Sequence, residues 1–156
     1  MGLDELYREV ILDHNQNPRH RGRVSLPTAS RGLFNPTCGD RIEVMLRVRD
    51  GRVEEAAFDG HGCSISIASA SMLMDSVVGR PVEEARVTAE GFINFVTGKA
   101  AAPPPGEWES LAGVRRFASR VKCATLAHNA LLEALDQPVP HWGEKEVRDG
   151  DDAQEA

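Results

Sequence analysis

The feature that most constrains the fold is an alternating segment that ends in a tight turn. Residues 41–49 place apolar side chains at every second position and charged side chains at most of the others, with Ile42, Val44, Leu46 and Val48 on the apolar face. A period of two is typical of an antiparallel strand with one buried face. Asp50-Gly51 follows and favours a hairpin turn, so we expect residues 52–58 to return as a second strand.

Helices are expected on both sides of this hairpin. Residues 3–15 carry apolar side chains at helical spacing, and residues 120–135 carry one apolar stripe made of Leu126, Ala127, Ala130, Leu131, Ala134 and Leu135. Between them, the sequence predicts helices over 64–78, with Ser64 as N-cap, and over 81–84, 88–97 and, in short pieces, 107–118. Residues 16–31 and 98–106 are rich in Pro or Gly and are predicted to be loops. Strands that precede helices indicate the α+β class.

Length and charge limit the possible functions. The chain has 156 residues, the size of one domain, and a net charge of −6, which disfavours nucleic acid as a partner. No apolar run approaches the roughly 20 residues of a membrane-spanning helix, and the acidic start is unlike a signal peptide. We therefore expect a cytoplasmic protein with no membrane partner.

The charge is unevenly distributed. Residues 144–156 hold six acids and two bases, a net charge of −4, so we divide the chain into a domain over 1–140 and an acidic, disordered tail over 141–156. Residues 19–31 hold five basic side chains and no acid: Arg19, His20, Arg21, Arg23 and Arg31. A solvated loop is the favoured interpretation of this segment, and a docking patch for an acidic protein is the alternative.

Three cysteines suggest a metal, a reactive thiol or simple burial, since an odd number cannot all pair as disulfides. Cys38 precedes a strand, Cys63 precedes a helix, and Cys123 is placed in the first turn of the last helix. Helix N-termini lower the pKa of a thiol, so Cys63 and Cys123 are expected to be thiolate-prone.

A tetrahedral metal site needs a fourth ligand beside three cysteines, and Asp40 is the best candidate. It is two residues from Cys38 across Gly39, which can adopt a positive φ and bring both side chains to one point. His61 is two residues before Cys63 and is the next candidate. For all the histidines considered a surface or capping role is the more favoured interpretation: His14, His20, His61 and His128.

Three segments, NPTCGD, GCSIS and RVKCATL, each hold one cysteine and together resemble the U-type proteins of iron–sulfur cluster assembly. This family includes the IscU-like scaffolds, the N-terminal domain of NifU, and SufU, and the resemblance covers residues 3–136. It implies a small antiparallel sheet packed against several helices. It also implies a metal and sulfur site made of Cys38, Asp40, Cys63 and Cys123.

Two details resemble the SufU branch: Lys122 stands where the IscU-like scaffolds have His, and residues 98–116 form an extra stretch. That branch implies Zn²⁺ at the site and persulfide sulfur accepted from a SufS-type, pyridoxal-phosphate cysteine desulfurase, which the protein stimulates. Cys38 would be the sulfur acceptor, exchanged at the zinc for a histidine of the partner. Arg120 would guide docking or transfer, and a downstream iron–sulfur scaffold would receive the sulfur.

The sequence is compatible with several other interpretations of the same residues. One is a scaffold that assembles a [2Fe–2S] cluster on the same Cys and Asp residues, with iron in place of zinc. Another is a domain with purely structural zinc. A third has no metal, because cysteine is among the residue types most often buried in a core. Whether the chain is itself an enzyme, or a sulfurtransferase-like partner of the desulfurase, also stays open.

Overall fold

The computed structural model describes residues 3–137, with side chains from Tyr7 onward. The acidic tail predicted over 141–156 lies outside these residues. Within them the chain forms four α-helices, three strands and one 3₁₀ helix, in the order α1 Leu3–Gln16, β1 Ala29–Asn35, β2 Asp40–Arg49, β3 Arg52–His61, α2 Ser64–Val77, α3 Val82–Val96, the 3₁₀ helix Glu107–Arg116 and α4 Ala118–Asp136.

The predicted hairpin is the centre of a three-stranded antiparallel sheet in the order β1-β2-β3. Arg49 pairs with Arg52, and the turn between them has positive φ at both Asp50 (53°) and Gly51 (75°). Positive φ at both central residues is the requirement of a type I′ hairpin turn. The hairpin prediction is therefore confirmed, and β3 runs three residues further than expected, to His61.

Strand β1 was not predicted, because its first three residues were assigned to a loop. β1 pairs with β2 from Ala29↔Leu46 to Asn35↔Asp40. Its residues are almost continuously buried, and α4 packs against it. On the other face of the sheet Val24 clusters with Met45 of β2, the residue that pairs with Ser30 of β1. A strand buried on both faces has no alternating pattern, so periodicity could not find it.

The main core lies between the sheet and the helices. α2 and α4 pack against the strands and against each other, and α1 and α3 flank them. The small residues of α2 permit this close approach, and Ser69 Oγ donates a hydrogen bond to the Ala124 carbonyl of α4 at 2.6 Å. The predicted stripe of α4 is buried at Leu126, Ala127, Ala130, Leu131 and Ala134. The α+β class, with a small antiparallel sheet against helices, is confirmed.

The two short helices expected over 81–84 and 88–97 are one continuous helix, α3. Gly91 lies inside it without breaking it, and its missing side chain makes room for the proline-rich loop: a Cβ there would lie 3.1 Å from Pro104 Cγ. Hence the glycine serves packing against a neighbouring segment and does not end the helix.

The extra stretch over 98–116 is folded into the domain. Trp108 of its 3₁₀ helix is fully buried, with its ring centroid 4.7 Å from that of Phe92 and 5.0 Å from that of His128. The buried His14 of α1 contacts the same element, because one ring nitrogen lies 2.7 Å from Glu107 Oε1. Its other ring nitrogen lies 2.7 Å from Ser71 Oγ of α2. The insertion is therefore held by α1, α3 and α4.

Two histidines contradict the expected surface or capping role. His14 is buried and hydrogen-bonded, and His128 is fully buried, stacked on Phe92 at 4.4 Å between ring centroids. Burial lowers the pKa of His128 to about 3, so its ring is neutral at physiological pH. None of the helices over residues 3–137 is both long and apolar enough to cross a bilayer.

Candidate metal centre

Three of the four proposed ligands meet where β2 begins. Asp40 is the first residue of β2 and is fully buried, whereas Cys38 lies in the preceding turn and is exposed. The turn depends on Gly39, which has φ of 76° and donates its N–H to the Asn35 carbonyl at 2.8 Å. Cys123 comes from α4, and the Cys38 and Cys123 sulfurs are 3.2 Å apart. The ligand atoms of Cys38, Asp40 and Cys123 all lie within 4.8 Å of one another.

Cys63 joins this cluster through Asp40. It is the N-cap residue of α2, one position earlier than the predicted Ser64. Its backbone N–H donates to Asp40 Oδ1 at 2.9 Å, and its sulfur lies 4.0 Å from Asp40 Oδ2. The sulfur stands outside the set of three mutually close ligand atoms. Asp40 therefore links the β1–β2 turn, which carries Cys38, to the helix that carries Cys63.

Asn35 is a site residue that the sequence reasoning missed. It is buried at the end of β1, its Nδ2 lies 3.8 Å from the Cys123 sulfur, and its Oδ1 accepts the N–H of Thr37 at 3.1 Å. One side chain thus holds both the turn of Cys38 and the sulfur of Cys123. The available signal was the Asn-Pro pair in NPTCGD, which is typical of an Asx turn.

The expectation that Cys123 is thiolate-prone is wrong for the isolated chain. α4 begins at Ala118, so Cys123 is in its second turn and the partial positive charge of the N-terminus is weak there. Burial raises the pKa of the Cys123 thiol well above its ordinary value, and the hydrogen bonds with Asp40 and Cys38 raise it further. Loss of solvation therefore outweighs the helix terminus.

The donor set fits a single cation. A tetrahedral Zn²⁺ with Zn–S bonds of about 2.3 Å places its sulfurs about 3.8 Å apart. The Cys38 and Cys123 sulfurs, 3.2 Å apart, would need to separate slightly to hold the ion. Two thiols and a carboxylate this close together repel one another when ionised, and a bound cation removes that penalty. When bound, Zn²⁺ keeps such thiols deprotonated at neutral pH and is redox-inert. The same donors also suit iron.

His61, the alternative fourth ligand, does not join the cluster. It is exposed at the end of β3, where it pairs with Arg41. Within residues 7–137, the group of potential ligands found together holds Cys38, Asp40 and Cys123 and no histidine. The geometry therefore favours Asp40 over His61 as the partner of the cysteines.

Three arginines of the basic segment over 19–31 form ion pairs with acidic residues of the same domain. Arg19 contacts Asp13 at 2.6 Å and Arg23 contacts Glu43 at 3.2 Å, while the buried Arg31 contacts Glu133 at 2.7 Å. Ion pairs of this kind take up the positive charge that an acidic partner would need. The structure thus gives little support to a docking patch in this segment.

The close approach of the Asp40 carboxylate to the start of α2 requires a glycine at position 62. A Cβ at this position would lie 2.7 Å from Asp40 Oδ1 and 2.3 Å from Ser66 Oγ. We expect Gly62→Ala to push the carboxylate away and to weaken Zn²⁺ binding at least 10-fold, measured by chelator competition, since displaced ligands lose affinity on this scale.

Two further variants separate the causes. Gly62→Ala combined with Ser66→Ala removes the clash with the hydroxyl and keeps the clash with Asp40, so affinity should stay low. Gly113→Ala is the matched control, because a Cβ at Gly113 meets no atom within 4 Å. Unchanged zinc affinity in Gly62→Ala would show that the Asp40 carboxylate is not placed by this glycine.

Comparison with known proteins agrees with this architecture. Residues 6–137 match the family described as NifU-like N-terminal domain. The chain is 43% identical over 135 residues to the zinc-dependent sulfurtransferase SufU of Bacillus subtilis strain 168. That alignment covers 85% of this chain and 91% of the relative. It is 41% identical over 152 residues to the iron–sulfur cluster assembly scaffold protein IscU of Streptococcus pyogenes serotype M1, covering 95% of each.

A solved structure shows the same fold. The crystal structure of an iron–sulfur cluster assembly scaffold protein for the SUF system, from Fervidobacterium islandicum AW-1, aligns with a TM-score of 0.77 at 26% identity. The alignment covers 86% of this chain and 99% of the other.

Proposed function

The chain belongs to the family of NifU-like N-terminal domains, and from that premise we propose that it is a zinc-dependent sulfur-transfer protein of iron–sulfur cluster assembly. It accepts persulfide sulfur from a SufS-type cysteine desulfurase, stimulates that enzyme and passes the sulfur to a downstream scaffold. One observation carries the proposal: the exposed Cys38 lies 3.2 Å from the buried Cys123 at the edge of a metal-binding cluster. A purely structural zinc site would be closed on all sides.

The positions of the ligands suit different tasks. Cys123 is anchored in α4 and Asp40 is buried in the sheet, so both stay with the core. Cys38 is in an exposed turn, and a turn can change its backbone more easily than a helix can. Cys38 is therefore the thiol that can face a partner while the other ligands remain in place.

The transfer step is a thiol–persulfide exchange. The Cys38 thiolate attacks the terminal sulfur of the persulfide on the desulfurase, and a new S–S bond forms at Cys38. The bond between that terminal sulfur and the enzyme's cysteine breaks, and the cysteine leaves as a thiolate with the bonding electrons. The sulfur moves at constant oxidation state, so the step needs no external oxidant or reductant.

Two exposed cationic side chains lie close in sequence to Cys123. Arg120 precedes Cys123 by about one helical turn, and Lys122 directly precedes Cys123. Both can stabilise the negative charge that the thiolates and the incoming persulfide bring to the site. We assign Arg120 to docking or transfer and Cys38 to acceptance of the sulfur. The site needs reduced thiols, so we place the activity in the cytoplasm.

A second function is favoured by the relative named as an IscU scaffold. In that case the same residues hold iron and build a [2Fe–2S] cluster, because thiolates and a carboxylate suit both metals. The insertion anchored by Trp108 and the Lys122 before Cys123 resemble the SufU branch, so sulfur transfer stays the first proposal.

Metal content and desulfurase turnover, measured on the same sample, test the proposal. Protein purified without added metal should hold about one zinc per chain and should raise cysteine turnover by a SufS-type desulfurase at least several-fold. Iron with acid-labile sulfide and no stimulation would support the scaffold. Zinc without stimulation would indicate a structural site, and a fully folded protein with neither metal would overturn both functions.

A further inference from the structure

A short segment before Cys123 forms a cationic strip, defined here as residues 115–122. It holds Arg115, Arg116, Arg120 and Lys122, no acidic residue, and every one of these cations is exposed. Arg115 lies over the Phe95 ring at 4.7 Å. Among the residues that the structure describes with side chains, Arg116, Arg120 and Lys122 have no ion-pair or hydrogen-bond partner for their side chains. This strip thus differs from residues 19–31, where Arg19, Arg23 and Arg31 form ion pairs.

The same strip presents an exposed aromatic ring. Phe117 is 59% exposed, although a ring of this size is usually buried. Its backbone is fixed, because its N–H donates to the Val114 carbonyl at 2.9 Å and its own carbonyl accepts the N–H groups of Arg120 and Val121. As the N-cap residue of α4, Phe117 is held at a rigid point with its ring in solvent.

The strip ends at Lys122, the residue before Cys123. Cys123 is six residues beyond Phe117, a rise of about 9 Å along the helix. The Cys123 sulfur is 3.2 Å from that of the exposed Cys38. A partner that covers the strip would therefore reach the thiol that we propose as acceptor.

We propose that the cationic strip, with Phe117 at its centre, is the docking surface for the sulfur-donating enzyme. The complementary surface is a cluster of carboxylates around an apolar recess that receives the Phe117 ring. Opposite charges guide association, and a buried aromatic anchor supplies binding energy. This inference rests on the proposed function, because it takes the desulfurase as the occupant. The acidic segment over 144–156 of the chain itself is the competing occupant.

A double variant, Arg116→Glu with Phe117→Ser, tests the strip without altering a ligand or Arg120. Its affinity for a SufS-type desulfurase, measured by titration calorimetry, should fall at least 10-fold. The protein concentration that gives half-maximal stimulation should rise by the same factor, and maximal turnover should stay within about twofold. Wild-type binding should also weaken more steeply with added salt than binding of the variant.

Arg49→Glu is the matched control. Arg49 is more exposed than Phe117 and lies at the opposite end of β2 from Asp40, about 30 Å away along the strand. It changes the charge equally, so its affinity should stay within about twofold of the wild type. Zinc content and circular dichroism show whether each variant is folded. If the double variant were misfolded, Arg116→Gln alone should still weaken binding about threefold.

The outcomes separate this inference from the function beneath it. Wild-type binding and stimulation, with an unchanged double variant, would overturn the docking surface and leave sulfur transfer standing. A loss of maximal turnover at unchanged affinity would also overturn it. A wild type that binds but does not stimulate would overturn sulfur transfer. The affinities of the wild type and the double variant would still test the docking surface. No wild-type binding would overturn both.

The competing occupant has its own test. In a full-length variant the six acids over 144–156 are replaced by their amides. If this removed the difference in affinity between wild type and double variant, the strip would serve the chain's own tail and the docking proposal would fall. A persistent difference would support the desulfurase as occupant.

Discussion

Replacing Cys38 with Ala is expected to lower sulfur transfer from the desulfurase by more than about 100-fold while the fold stays intact. Cys38 is the exposed thiol of the cluster, and the transfer step that we propose uses its thiolate as nucleophile. Because the side chain is exposed in a turn, its truncation removes little buried surface and should cost little stability. Persulfide on the protein is measured by mass spectrometry after incubation with desulfurase and cysteine.

The neighbouring Thr37→Ala provides the matched control for this loop. Thr37 is exposed, and its backbone N–H, which binds Asn35 Oδ1, is unaffected by the substitution. This variant should transfer sulfur at close to the wild-type rate. Persulfide found at Cys63 in the Cys38→Ala variant, at the wild-type rate, would reassign the acceptor to the N-cap residue of α2.

Asp40→Asn is expected to weaken Zn²⁺ binding by more than about 100-fold. An amide oxygen at this position can still accept the N–H of Cys63, so the link between β2 and α2 is kept. The substitution removes the negative charge and, in the zinc site that we propose, the carboxylate ligand. Losing a ligand costs more affinity than the 10–100-fold typical of a residue that only supports a ligand. Affinity is measured by competition with a zinc chelator.

Asp59→Asn is the control for Asp40→Asn. Asp59 lies in β3, and its Oδ1 accepts the Gly60 N–H at 2.8 Å in a comparable way, but it is not part of the cluster. Its substitution should leave zinc affinity within about twofold. Full zinc affinity in Asp40→Asn would remove Asp40 from the ligands and leave its structural bond to Cys63 as its role.

Local patterns in the sequence were enough to predict several elements of the fold. The hairpin of β2 and β3 was predictable because one alternating strand and an Asp-Gly turn define both partners. The stripe of α4 was predictable from helical spacing. Asp40 was chosen from its position two residues after Cys38 across a flexible glycine, and the structure places both in one cluster.

Other features had no local signal. β1 is buried almost throughout, and this burial depends on α4, which lies far from it in sequence. The continuity of α3 through Gly91 depends on Pro104 filling the space above it. Asn35 contacts the Cys123 sulfur across 88 positions of sequence, a contact that no short motif displays.

The sequence by itself determined the family, the α+β class and the candidate ligands, because motifs, turn residues and hydrophobic periods are local properties of the chain. Only the tertiary structure decided the exposure of the site and the raised pKa of one of its thiols. Burial of Cys123 raises the pKa of its thiol against the weak helix dipole, and Cys38 is left facing solvent. It also decided which arginines are paired within the fold and which remain exposed near the thiol. Solvation and pairing depend on neighbours distant in sequence, so a pattern along the chain does not contain them.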